Sequence, residues 1–215
     1  MKIAVVGGTG KLGAAIARRL AKAGCTVVIG SRSAEGARKV AGELGFGLTG
    51  AANADAAAMC DIAIVTVPFA AQESTLAEIR PHVAGKIVVD TTVPLVPPKV
   101  MRVQLPPEGS AAVRAQRLLG NEVTIVSAFH SVAAHKLATD QDIDCDVLVF
   151  GDDKAARTKV VALANQAGLR GLHGGSLANS AAAEALTSVL IFINKTYSVD
   201  GAGIRITGKL VEPDP

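Results

Sequence analysis

The stretch Lys2-Ile-Ala-Val-Val-Gly-Gly-Thr-Gly-Lys-Leu-Gly13 decides the fold. Its opening run, Lys2 to Val6, has the length and apolarity of a buried strand. Glycines then fall at Gly8, Gly10 and Gly13, in the spacing Gly-x-Gly-x-x-Gly. Leu12, Ile16 and Leu20 follow at helical spacing, with Ala17 and Ala21 beside them, so the glycines join a strand to an amphipathic helix. In that context each glycine has its own task. Gly8 permits a tight turn, Gly10 lets a diphosphate approach the backbone, and Gly13 lets the helix lie close to the sheet. Gly8, Thr9, Gly10, Lys11, Leu12 and Gly13 are therefore candidate anion-binding residues, their amides lying at the positive end of the helix.

A second apolar run, Thr26-Val-Val-Ile29, ends in Gly30-Ser31-Arg32-Ser33. The tip of this strand meets the adenosine ribose of a bound dinucleotide. NAD sites place an acid there to accept from the ribose hydroxyls, and this chain has none. Ser31, Arg32 and Ser33 suit a 2′-phosphate instead: the guanidinium makes charge-assisted bonds and the hydroxyls are short donors. The expected cofactor is NADP(H).

Composition excludes several other classes. Lys and Arg total 22 against 19 acids, a balance too even for nucleic acid or an anionic membrane surface to be the expected partner. Cys25, Cys60 and Cys145 form no Cys-x-x-Cys pair and read as buried thiols, and no metal site is indicated. The longest apolar runs, Ile62 to Ala71 and Val189 to Ile193, fall short of a membrane span, and the N-terminus does not resemble a signal peptide. The expectation is a cytoplasmic protein with small-molecule partners.

Strand and helix patterns go on alternating. Helices are expected at 34–44, 72–79, 111–119, 154–167 and 178–195, and an alanine-rich stretch covers 51–59. Strands are expected at 61–67, 86–90, 124–127, 146–150 and 169–172. This is an α/β chain with a doubly wound parallel Rossmann sheet and a small C-terminal helical extension. Residues 1–175 would form the nucleotide-binding domain with its extension strands, and 176–215 a helical cap or dimerisation segment. Ligands lie beyond the carboxyl ends of such strands, which singles out Val67 and Pro68, Thr91, and the loop carrying His130.

Several blocks together carry a resemblance: residues 7–13, Ile29-Gly-Ser-Arg32, Asp61-Ile-Ala-Ile-Val65, Val126-Ser-Ala-Phe-His130, Phe150-Gly-Asp-Asp153 and Leu177-Ala-Asn-Ser180. Glu184-Ala-Leu-Thr187 and Gly203-Ile-Arg205 extend it. Along nearly its whole length the chain resembles the NADPH-dependent oxidoreductases that reduce the 5-deazaflavin coenzyme F420. The resemblance implies a homodimer in which nicotinamide and deazaflavin rings stack and exchange a hydride, with His130 beside the rings as the catalytic residue. It also implies Thr9, Ser31 and Arg32 around NADP. One departure stands out: a basic residue that helps hold the 2′-phosphate in relatives falls at Gly36 here, leaving Arg38 or Lys39 as substitutes. Two other readings fit the nucleotide half equally well. One is a reductase of a free flavin or quinone, and the other is a non-catalytic NADPH-binding redox sensor.

Overall fold

In the computed structural model, which describes residues 1–211, one eight-stranded sheet organises the chain. The N-terminal units are β1 (Lys2–Val6), α1 (Lys11–Lys22), β2 (Thr26–Ser31), α2 (Ala34–Leu44), β3 (Thr49–Ala52) and α3 (Asn53–Ala58). They are followed by β4 (Ile62–Val65), α4 (Phe69–Ile79), β5 (Ile87–Asp90), α5 (Ala111–Leu119) and β6 (Thr124–Ser127). The chain closes with α6 (Ala134–Leu137), β7 (Asp146–Phe150), α7 (Lys154–Gln166), β8 (Arg170–Gly175) and α8 (Ser180–Tyr197).

The strand order is β3-β2-β1-β4-β5-β6-β7-β8. The first six strands are parallel and in the doubly wound order, which reverses direction between β1 and β4 and opens a crevice there. Their register is continuous, with Val5 opposite Ile29 on one side and Ile64 on the other. Both faces are covered. Ile3, Val5, Ile29, Ile62 and Ile64 pack under α1, α2 and α7, while Ala4, Val6, Val28, Ala63 and Val65 pack under α3, α4 and α5. This two-sided burial explains why these strands read as unbroken apolar runs.

The sheet departs from the expected parallel order at its far edge. β7 runs antiparallel to β6, and the only residues paired between them are Ser127 and Phe150. β8 then lies parallel to β7. The expected alanine-rich stretch at 51–59 divides into the end of β3 and the short α3. β3 lacks branched apolar residues, and Gly50 at its centre lets α2 lie directly against it: a Cβ there would overlap the Ala37 and Arg38 backbone.

The last helix is tied to the body by polar groups. Glu184 is 1% exposed, and its carboxylate accepts from the amides of Ala111 (2.6 Å) and Ala112 (3.1 Å) at the start of α5. Ser110 caps the same helix by accepting from Val113 N, and Ser180 Oγ donates to Ser110 Oγ. Beyond α8, the chain returns to β7. Ile204 O accepts from Asp146 N, and the buried Asp146 carboxylate takes Arg170 in a bidentate pair together with Ile206 N. Residues 177–197 have the length and apolarity of a membrane span, more than the run Val189 to Ile193 suggests. Ser180, Glu184 and Ser188 nevertheless lie buried against the rest of the protein. Of the 176–215 segment read as a cap, residues 212–215 lie outside the described residues.

Candidate functional site

A cleft of about 440 Å³ opens at the β1/β4 reversal. It is lined on one side by Gly7, Thr9, Gly10, Ser31 and Arg32, and on the other by Thr66, Val67, Pro68 and one face of α4. Sequence-predicted residues thus come together from three separate strand ends. Thr9 Oγ1 and Ser31 Oγ lie 3.5 Å apart, and Arg32, exposed at the rim, is the one cation among the described lining residues.

The glycine turn works somewhat differently from the expected division of labour. Gly7, at φ +71°, takes the left-handed conformation, not Gly8. Gly8 is required for closeness, because a Cβ would sit 2.6 Å from Val5 O. Its amide faces Gly30 O at 2.9 Å and Val5 O at 3.1 Å, fixing β1 to β2. Gly13 matches its expected role, since a Cβ would lie 2.7 Å from Gly8 Cα and against Thr66 Oγ1. A Cβ on Gly10 would meet only Gly7 O, at 3.5 Å, and otherwise point into open space, as the approach of a ligand requires.

What Lys11 and Leu12 present toward the cleft is backbone. α1 begins at Gly10 with no side-chain cap and no acid in its first turn, which leaves its leading amides available to an anion. Leu12 packs its side chain on the core, and Lys11 is exposed. Ser33 is already engaged: it caps α2 by accepting from Gly36 N at 3.1 Å. Arg38 and Lys39, the substitutes for the missing base at Gly36, are exposed on α2 and do not line the cleft. Thr91 is buried, its hydroxyl donating to Val65 O at 2.9 Å, so it braces the strand ends from behind.

Sequence reasoning missed Asn53. It is 2% exposed, and its Oδ1 accepts from Gly7 N (3.2 Å) while Nδ2 donates to Glu78 Oε2 (3.1 Å). Thr66, which donates to Val6 O and backs Gly13, was missed as well. An Asn at a strand-to-helix junction is a common capping residue, and nothing in its spacing signals a bridge between distant loops.

His130 occupies a second, smaller cavity of about 140 Å³, lined also by Ser131, Val132, Thr187, Leu190, Ile191 and Asn194. It follows Phe129, which holds φ +67°. One ring nitrogen, Nε2, is 2.8 Å from Ser127 Oγ, leaving Nδ1 for any ligand. Burial lowers the imidazole pKa to about 4, so the ring is neutral at physiological pH. The His130 carbonyl accepts from Thr187 Oγ1 of α8, and its ring lies 6.3 Å from that of Phe150. The histidine is thus held where β6, β7 and α8 meet, apart from the residues lining the cleft at the β1/β4 reversal.

Comparison with known proteins gives this arrangement its family. Residues 2–94 match the family described as NADP oxidoreductase, coenzyme F420-dependent. An F420-dependent NADP reductase of Methanothermobacter thermautotrophicus is 41% identical over 96% of this chain and 95% of its own length. The chain belongs to the F420-dependent NADP reductase family. A further member, from Methanocaldococcus jannaschii, is 40% identical over 96% of this chain and 98% of its own length. A solved structure from Arthrobacter sp. FB24, provisionally assigned as an F420-dependent NADP reductase, superposes with a TM-score of 0.85. It shares 27% identity and covers 97% of this chain and all of its own. The doubly wound sheet with its C-terminal helix thus superposes along nearly the whole chain on that structure.

Proposed function

We propose that this F420-dependent NADP reductase family member transfers a hydride between NADP(H), bound in the β1/β4 cleft, and coenzyme F420. The observation that carries the reading is the opening of α1. An uncapped, acid-free helix N-terminus faces a cleft whose other end holds Ser31 and Arg32. The first suits a diphosphate and the second a 2′-phosphate. Thr9, Gly10, Lys11 and Leu12 then hold the diphosphate by backbone amides, Gly8 and Gly13 keep the turn tight, and Ser33 fixes the start of α2 behind Arg32. Val67 and Pro68 border the path toward the reacting end, and Thr91 keeps the strand ends in register.

The bound cofactors supply the hydride chemistry themselves. The protein has to hold two flat rings at the right distance in a dry slot. Apolar Leu190 and Ile191 of α8 exclude water near His130. The neutral imidazole, with Nε2 engaged by Ser127, offers Nδ1 to the acceptor side without adding a charge. Val189, Phe192 and Tyr197, exposed along α8 at 43%, 52% and 72%, supply an apolar face for a second copy. A cytoplasmic homodimer, with residues 176 onward acting as cap and seam, fits that face. Nucleic acid and membrane have no part in this reading.

The test follows NADPH oxidation by the purified protein in the presence of F420, a free flavin, or a quinone. F420-specific turnover supports the proposal, turnover with flavin or quinone alone replaces it, and tight NADPH binding with no turnover identifies a sensor.

A further inference from the structure

The wall of the cleft facing the glycine turn is one face of α4. Ala71, Ser74, Thr75 and Glu78 stand at positions i, i+3, i+4 and i+7. On the reading of the cleft as an NADP site, the diphosphate lies at the start of α1 and the 2′-phosphate at Ser31 and Arg32. Glu78 is then an anomaly, because it is the one carboxylate among the described residues lining a cleft that takes anions. A carboxylate beside either phosphate would repel it. Its bond to Asn53, which lies against Gly30 at the end of β2, puts it at the adenosine end of the ligand, away from the nicotinamide ribose and carboxamide. There the ribose 3′-hydroxyl adjoins the 2′-phosphate, and the donor left for a carboxylate is the adenine exocyclic amine.

The side chain is also held for such a task. Asn53 Oδ1 accepts from Gly7 N, which fixes the orientation of the amide and turns Nδ2 toward Glu78 Oε2 at 3.1 Å. Gly30 leaves room for this bridge, since a Cβ there would come within 3.1 Å of Asn53 Oδ1. One buried amide therefore couples the glycine turn to the far end of the α4 wall. Glu78 Oε2 is taken, and Oε1 accepts no hydrogen bond among the described residues.

We propose that Glu78, oriented by Asn53, reads the base of the dinucleotide by accepting a hydrogen bond from the adenine exocyclic amine. It is a specificity-determining residue for the known cofactor, and it rests on the assignment of the cleft to NADP(H). The base carries the donor, so a base lacking the amine leaves the carboxylate facing a carbonyl oxygen.

The experiment compares NADPH with its deamino analogue, in which hypoxanthine replaces adenine, by calorimetric Kd. Wild-type protein should bind NADPH about ten-fold more tightly than the analogue. Glu78→Gln, whose amide can accept from an amine or donate to a carbonyl, should bring the two within about two-fold and leave the NADPH-over-NADH ratio in place. Glu78 is exposed, so this variant is expected to fold. Equal wild-type affinities, or an unchanged preference in Glu78→Gln, would overturn the inference while leaving the NADP site standing. Binding of neither dinucleotide would instead overturn the site itself.

Discussion

Two buried groups with opposite pH responses face the region where α8 meets the sheet. Burial raises the Glu184 carboxyl to about 7 from its ordinary 4.5, despite the amides of Ala111 and Ala112, which favour the ionised form. Burial lowers His130 to about 4 from 6.5. Between the ordinary and folded values of Glu184 the native state keeps a proton that the unfolded chain has lost, so stability falls as pH rises from 4.5 toward 7. Between the values of His130 the unfolded chain holds the extra proton, so stability is lost as pH falls from 6.5 toward 4. Each shift corresponds to about 3 kcal/mol over its full window, at about 1.4 kcal/mol per pH unit. Within their shared interval the two slopes cancel.

Glu184→Gln keeps an acceptor for α5 but cannot titrate, and it should expose the rising slope of His130. Relative to wild type, the variant should gain about 2 kcal/mol between about pH 5 and pH 6.5. Urea unfolding at both pH values, read as the difference between variant and wild type, measures it and cancels every titration common to both. A variant-minus-wild-type difference that is the same at both pH values would show that Glu184 does not titrate in this range, and the argument would fail.

Arg32→Ala should weaken NADPH binding about ten- to a hundred-fold, the worth of one charged hydrogen bond, and leave NADH nearly unaffected. Calorimetry with both cofactors checks it, and equal losses would remove Arg32 from the 2′-phosphate. Gly13→Ala places a methyl against Gly8 Cα and Thr66 and should cost about 2–3 kcal/mol in urea unfolding, with weakened nucleotide binding. Asp146→Ala strips the buried partner of Arg170 and Ile206, so about 3 kcal/mol of stability should be lost, and limited proteolysis should reach residues 199–206 first.

The features legible in the sequence were those written in local chemistry. The bounds of α5 match the expectation at both ends because Ser110 caps it and Gly120, at φ +82°, stops it. β1, β6 and β7 matched because their side chains are buried on both faces and read as continuous runs. β3 was hidden because Thr49-Gly-Ala-Ala52 carries no branched apolar residue. The reversal of β7 was equally hidden, since strand direction depends on where the loop after Ser127 lands and not on the residues of β7 itself. At the site, the phosphate-facing residues were legible, while Asn53 was not. Its importance comes from contacts to residues 46 positions before it and 25 after it.

The single rung between β6 and β7 has a thermal consequence. Six strands share continuous ladders, whereas the outer pair joins them at Ser127 and Phe150 alone. The outer pair is bonded within itself, but with one rung tying it to the other six strands it can open as a unit, and its amide protons should exchange with solvent deuterium before those of β1, β4 and β5. Ser127 holds the imidazole and Phe150 lies beside it, so His130 sits at the weakest joint of the sheet. Any ligand or second subunit that stiffens this joint would slow that exchange and steady the ring in one stroke.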